Sequence, residues 1–408
     1  MPISIMILLV MLIAIAFRKV INIAMPIWSI MLAGALLAIL FQQITPMSAL
    51  RAIDIDIMLY LFGVFTICQA AETSGYLEHL TDRLFSLSST GKHALIIIVF
   101  ILGLSSALLM NDTIAIVGTP IILQLCKIHK NLTKPLLLAL AYAISIGSVI
   151  SPIGNPQNLL IAVKGELTSP FMDFIKILAI PTIINLVIAY FFIYFIFKKE
   201  LDEEIEKTQP KAINDHHTVA LTKISLMLML SLIFIKVIGD QVHIHLSFFY
   251  IALVPALLVL LFSKKKWYLI KGIDWGTLIF FASMFILMQS VWDSDFLQSS
   301  INRWKIILTQ THVILLVSPI LSQFISNVPL VALYIPLLMN HDLQQTHLLA
   351  LAAGSTIAGN ISLLGAASNI IILQNAERRG NNGFGFLEFT KIGLPLTIIT
   401  ILIYLIFI

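Results

Sequence analysis

Long apolar runs, each closed by a short polar stretch, occupy most of the chain. Runs near 3–17, 24–41, 55–72, 135–163 and 172–197 have about the length that a helix needs to cross a bilayer. Five more follow near 220–239, 247–263, 274–292, 345–372 and 386–407. The one long hydrophilic segment, KKELDEEIEKTQPKAINDHHT at 198–218, separates the two sets and reads as a linker. Two apolar blocks remain, 93–126 and 306–339. Each carries polar residues and a proline in its middle, SSALLMNDTIAIVGTP and SQFISNVPLVALYIP. Both read as re-entrant hairpins, because irregular backbone at membrane depth persists only where protein or a water-filled cavity covers it.

Composition supports a membrane solvent. The chain is 59% hydrophobic and 11% charged, against about 45–50% and about 25% for soluble domains. Charge then orients it. With hairpins that do not cross, 19 of the 25 Lys and Arg fall on one side and 6 on the other, as the positive-inside rule requires. The expected arrangement is a multi-pass protein of the cell membrane with ten crossings, both termini outside and linker 198–218 cytoplasmic. The first run lacks a positive leader and a small-residue cleavage site, so it reads as a retained span. Amphipathic stretches at 75–89 and 294–305 read as interfacial helices.

The second half repeats the first. Arg51-Ala-Ile-Asp54 answers to Lys271-Gly-Ile-Asp274, and Met110-Asn111-Asp112 to Ser326-Asn327-Val328. Ser151, Gly154 and Asn158 answer to Ser362, Gly365 and Asn369 at identical spacing. Five crossings per half would turn the second half upside down. The fold class expected is an all-α polytopic membrane protein of two inverted repeats, 1–197 and 219–408. Each repeat has five spanning helices, a re-entrant hairpin and a broken helix. Such architecture places a substrate near the midplane, at the repeat interface.

Chemistry gathers in four segments. Two are the hairpin tips, around Asn111 and Asn327. Two are the broken spans, SVISPIGNPQN at 148–158 and GNISLLGAASN at 359–369. Gly and Pro interrupt helical hydrogen bonding and free carbonyls and amides. Freed carbonyls with Asn and Ser oxygens suit a hard cation, and helix N-termini facing the break favour an anion. Small residues also serve close helix packing, but four motifs in repeat-symmetric positions favour a site. The expected cation-binding residues are Asn111, Asp112, Gly147, Ser151, Asn327, Gly359 and Ser362. The expected substrate-binding residues are Thr113, Gly154, Asn155, Asn158, Ser326, Gly365 and Asn369. Asp112 is the acid read as lying deep in the membrane, where a carboxylate costs at least about 2.5–3.5 kcal/mol. Asp54, Asp56, Asp173, Asp274 and Glu388 fall at span ends, where capping and interfacial solvation account for them.

Hairpins tipped by Asn, each followed by a helix broken at a Gly…Asn motif, resemble the ion transporter superfamily over essentially the whole chain. That group includes divalent anion:sodium symporters, citrate transporters, arsenite permeases and D-type sodium/proton antiporters. Ser326-Asn327 matches the Ser-Asn-Thr tips of the symporters. Asn111-Asp112 is closer to the Asn-Asp of the permeases and antiporters, and 359–369 looks like the Gly-Asn-x-Thr-Leu-Ile-Gly-Ala-x-Ala-Asn run of that branch. Met110 and Val328 depart from the symporter pattern. The resemblance implies sodium sites near Asn111 and Asn327, a homodimer and elevator-type alternating access. The expected function is secondary transport of a small inorganic or carboxylate anion, coupled to Na⁺ or H⁺. Na⁺/H⁺ antiport and efflux of arsenite or another oxyanion are the alternatives. No cofactor beyond the coupling ion is expected, and no basic, aromatic-interleaved stretch points to nucleic acid. Intramembrane protease constellations are absent from the spans. Cys68 and Cys126 read as inert thiols.

Overall fold

The computed structural model describes residues 2–17, 26–76, 79–80, 83, 88–127, 129–204, 215–244, 246–294, 296, 310–339, 344–381 and 383–408. Among them the fold is helical and contains no named strand. The first half runs α1 (Ile3–Phe17), α2 (Ile27–Leu40), α3 (Pro46–Ala52), α4 (Ile55–Thr73), α5 (Gly91–Leu109), α6 (Asn111–Leu125), α7 (Thr133–Ser148), α8 (Pro156–Lys164) and α9 (Pro170–Ile196). The second half repeats that order. It runs α10 (His216–Gln241), α11 (Phe248–Phe262), α12 (Lys266–Gly272), α13 (Trp275–Trp292), α14 (Thr311–Ile325), α15 (Asn327–Met339), α16 (Gln345–Ile357), α17 (Ala367–Arg378) and α18 (Phe386–Phe407). Helices α4, α5, α9, α10, α13 and α18 are each long and apolar enough to cross a membrane.

Local chemistry sets the boundaries. Asp54 caps α4 by accepting from the Ile57 amide at 3.0 Å, and Asp274 caps α13 by accepting from Thr277 at 3.0 Å. Glu388 accepts from the Gly385 amide at the start of α18 and pairs with Lys134 at 2.7 Å. These are the terminal roles that the span-end acids were expected to play. The short helices α3 and α12 precede the capped spans in matching positions and were not read from the sequence. Two expectations shift. The linker begins helically at Lys198–Leu201, and α10 starts at His216, because Asp215 caps it by accepting from the Thr218 amide at 3.0 Å. Helix α5, expected as one arm of a hairpin, reaches spanning length by itself and contains a π-helical stretch, Ile97–Leu102. Most of the two expected interfacial helices, and residues 205–214 of the linker, lie outside the described residues.

The helices sort into two bodies. One is α1–α4 packed with α10–α13, where α4 lies along α11 and α2 along α13. The other is α5–α9 packed with α14–α18, where α5 lies on α7, α14 on α16, α6 on α17 and α8 on α15. Each of these contacts has a counterpart that exchanges the halves. The main contacts across the seam are few: α13 with α15, α4 with α6, α4 with α8, and α1 with α14. At the heart of the second body stand α7 and α16. Residues Pro135–Ser148 of α7 and Leu348–Ile357 of α16 are buried all round, as expected of helices apolar on every face.

Candidate functional site

Each hairpin turns on a single residue. Met110 and Ser326 stand at φ +64° and +73°, with ψ of 145° and 155°. Residues other than glycine rarely occupy that region, which costs about 1–3 kcal/mol each. Two strained turns at matching positions are hard to attribute to accident. The turn puts Asn111 and Asn327 at the first position of α6 and α15, both buried.

The first break, residues 149–155 between α7 and α8, is bonded shut. Asn155 caps α8 by accepting from the Asn158 amide at 2.8 Å. The Asn158 side-chain amide donates to the carbonyls of Ser148, Val149 and Ser151 at 3.3, 3.5 and 3.0 Å, covering the ends that α7 leaves open. Thr356 reaches in from α16. Its hydroxyl accepts from Asn155 at 3.1 Å and Gln157 at 3.3 Å, and donates to the Asn158 Oδ1 at 3.2 Å. The Asn111 amide donates to the Gly154 carbonyl at 3.0 Å, fastening the hairpin tip to the loop. A Cβ on Gly154 would overlap the Ser148 carbonyl, so the loop needs glycine there.

The second break, residues 358–366 between α16 and α17, follows the same course with fewer internal bonds. Asn369 donates to the Gly359 carbonyl at 2.6 Å, and Gln323 of α14 ties the hairpin in by donating to the Ala358 carbonyl at 2.8 Å. The Ser362 hydroxyl donates to Gln323 Oε1 at 2.8 Å. Where the first break has Asn155, the second has Ala366, so α17 begins with no side-chain cap. Where the first has Thr356 reaching across, the counterpart is Ser145, whose hydroxyl donates to Ala141 in its own helix. The Oδ1 atoms of Asn327 and Asn369, both side-chain amide atoms of Asn360 and the Ser368 hydroxyl are buried with no hydrogen-bond partner among the described residues. A buried polar atom left so costs about 1–3 kcal/mol.

The expected site residues therefore divide. Asn111, Ser151, Gly154, Asn155 and Asn158 come together at the first break, where Asn155 and Asn158 hold the loop rather than offering free groups. Asn327, Gly359, Ser362, Gly365 and Asn369 belong to the second break, while Ser326 is exposed at the tip. Gly147 serves helix packing, since a Cβ there would overlap the Gly103 carbonyl of α5. Asp112 lies in the first turn of α6, partly buried. Thr113 contacts the Cys68 thiol of α4 at 3.1 Å across the seam. Thr356 and Gln323 were missed, and Gln157, Asn360 and Ser368, though inside the two motifs, were not among the named site residues. Gln157 and Ser368 sit at matching places within the two motifs, a signal the sequence did carry. Among the described residues no three His, Cys, Asp or Glu cluster. The donors on offer are amide, hydroxyl and carbonyl oxygens, which suit a hard cation.

A family model described as a citrate transporter matches residues 6–352. The silicon efflux transporter LSI3 of Oryza sativa subsp. japonica is 27% identical, over 90% of this chain and 89% of that protein. A 46 kDa membrane protein of Mycobacterium leprae is 26% identical, over 86% of this chain and 84% of its own length. The crystal structure of the Alcanivorax borkumensis YdaH transporter shares the fold, with a TM-score of 0.53 at 15% identity, covering 91% of this chain and 86% of that one.

Proposed function

The chain belongs to the citrate transporter family and is an integral multi-pass membrane transporter, not an enzyme; from that premise we propose that it moves a small inorganic or carboxylate anion coupled to Na⁺ or H⁺. The observation that carries this reading is the second break. An uncapped helix N-terminus favours an anion, and beside it in the chain stand buried amide oxygens with no donor, which favour a cation. Together they offer an anion and a cation neighbouring places, so that each ligand offsets the charge of the other.

In this reading the coupling cation is held by Asn327, Asn360 and the carbonyls around Gly359 to Ser362. Ser368 and the first amides of α17 orient the anion, while the free Oδ1 of Asn369, an acceptor, goes with the cation ligands. The first break, closed by Thr356, frames the site, with Asn111 and Asp112 at its hairpin tip. The thin seam between the two bodies supports elevator-type movement of the body holding both breaks against the other. Halves 1–197 and 219–408 lie inverted in the cell membrane with both termini outside and linker 198–218 cytoplasmic, a placement supported by the segregation of Lys and Arg. The protein works as a homodimer. The name of the silicon efflux relative favours a second reading, export of a small oxyanion or hydroxy acid such as arsenite. Asp112, an acid in the first turn beyond the hairpin tip, favours a third, Na⁺/H⁺ antiport.

Flux in proteoliposomes with and without a Na⁺ or H⁺ gradient tests the proposal. Citrate, arsenite, silicate and phosphate are offered in turn. Asn327→Ala abolishes gradient-dependent flux, and Asp112→Asn separates antiport from anion transport. Undiminished, still cation-dependent flux in Asn327→Ala would place the site elsewhere.

A further inference from the structure

Lysines crowd the corner where α11 gives way to α12. Lys264, Lys265, Lys266 and Lys271 are all exposed there. The matching short helix of the first half, α3, carries one basic residue, Arg51, so the repeated fold does not itself require the charge. The corner is held in place from within. The Ser263 hydroxyl accepts from the Lys265 amide at 3.1 Å, and the Trp275 indole donates to the Ile270 carbonyl at 2.9 Å. Leu269 is buried with Ala70 of α4 and Val259 of α11. With Ser263 and Leu269 turned inward, large side chains are left facing out. Trp267 is 69% and Tyr268 63% exposed, beside Leu261 at 72% and Phe262 at 65% in the last turn of α11.

The order of these residues matches the layers of a membrane. Helix α11 has 15 residues, about 22 Å at 1.5 Å each, against roughly 30 Å of hydrocarbon core. The lysines that follow it directly therefore stand at headgroup depth, with their stems along apolar surface. Trp and Tyr collect at that same depth, and Lys271 lies one turn beyond Trp267 on its face of α12. Among the described residues an acid pairs with Lys265 alone of the four, Asp215 at 2.8 Å, which leaves the ammonium groups of Lys264, Lys266 and Lys271 free. An acidic protein segment would offset the charge and leave Leu261 and Phe262 uncovered. A second copy docking by the same patch would set lysine against lysine. A phospholipid with an anionic headgroup meets both needs: its phosphate accepts from the ammonium groups, and its chains cover the apolar turn. Lysine clusters immediately beyond a span favour anionic lipid on physical grounds.

We propose that the corner between α11 and α12 binds an anionic phospholipid, with Lys264, Lys266 and Lys271 on its headgroup, Trp267 and Tyr268 at the interface, and Leu261 and Phe262 against its acyl chains. The site belongs to the body without the breaks, so a bound lipid anchors that body in the bilayer. It does not depend on which break takes substrate.

The test is quenching of Trp267 fluorescence by brominated lipid, with the full chain reconstituted in phosphatidylcholine vesicles that hold a minor share of phosphatidylglycerol. Either lipid is brominated in turn, and the Trp267→Phe protein supplies the background of the other tryptophans. Phosphatidylglycerol should be enriched around Trp267 by about threefold or more over its share of the vesicle. Lys264→Gln/Lys266→Gln/Lys271→Gln should return it to that share. Lys127→Gln/Lys130→Gln/Lys199→Gln removes the same charge from exposed lysines around the other body and should leave the enrichment as it was. Every substitution falls on an exposed side chain and Gln keeps most of the stem, so both variants should fold. No enrichment in the unsubstituted protein, or equal loss in the two triple variants, overturns the proposal. Neither result bears on the transport reading, which stands or falls on flux.

Discussion

Thr356→Val removes one hydroxyl and keeps the shape of the side chain. Among the described residues that hydroxyl is the one partner of the Gln157 amide and of the Asn158 Oδ1. Asn155 loses one bond and keeps its bond to Ser148 at 3.1 Å. Two buried groups are thus orphaned at about 1–3 kcal/mol each, and partial relaxation leaves a cost of about 2–4 kcal/mol. The residue at the matching place in the first half supplies the control. Ser145 donates to the carbonyl four residues back in α7 at 3.1 Å and to no other group, so Ser145→Ala costs about 0–1 kcal/mol. Unfolding by SDS titration in mixed micelles measures the difference. Hydrogen exchange should locate it, with faster exchange over residues 148–160 in Thr356→Val alone. Equal costs for the two variants would refute the argument that one break is locked across the halves and the other is not.

Gly154→Ala should destabilise by more than 2 kcal/mol and abolish transport, because the new Cβ meets the Ser148 backbone rather than a flexible side chain; a folded, active variant would count against the loop geometry. Ser326→Gly should relieve the positive φ of the second tip and raise stability by about 1 kcal/mol, whereas Ser326→Val should lower it; melting temperatures decide. Asp215 is held at about 2, below the usual carboxylate range, first by its contact with Lys265 and then by the Thr218 amide. Its depressed value means the stabilisation is present above about pH 4 and is lost as pH falls through about 2. Asp215→Ala should therefore cost about 0.5–1 kcal/mol at pH 7 and progressively less below pH 4, read from melting curves across that range.

Sequence reasoning located most of the apolar helices to within a few residues because apolar runs bounded by charge are a local signal. Asp54 and Asp274 were legible for the same reason, each at the start of a run. The breaks were legible because Pro and Gly act on their own backbone. Other features depended on distance in the chain. Thr356 lies in an ordinary apolar helix, and its partners are some two hundred residues away. Gln323 looks like a surface residue of a hairpin arm until Ser362 is seen against it. Lys236 falls near the end of its run, where a charge normally reaches water, and only the packing of Phe248 and Leu246 over it makes it internal. Gly147 erred in the other direction. It lies next to a broken helix and so passed for part of a site, but its role is to let α5 approach.

The two breaks stand at matching places in the chain, and their differences have a physical direction. Asn155 is matched by Ala366, and Thr356 by Ser145. Gln323, with the tips Asn111 and Asn327 aligned, stands opposite Ala107. The first two changes remove a cap and a clasp from the second break; the third gives it a hinge point on its own hairpin. A loop that satisfies all its polar groups is a stable frame and has no reason to take a ligand. A loop left with several buried oxygens unpartnered is costly when empty, by several kcal/mol at about 1–3 kcal/mol each, and gains that much when filled. Occupancy then changes the stability of the hairpin held through Gln323 to the Ala358 carbonyl and Ser362. In a carrier this coupling matters, because the loaded and empty proteins must differ in how firmly the hairpin closes. On that argument, ligand should protect the backbone of 358–366 from hydrogen exchange much more than that of 149–155.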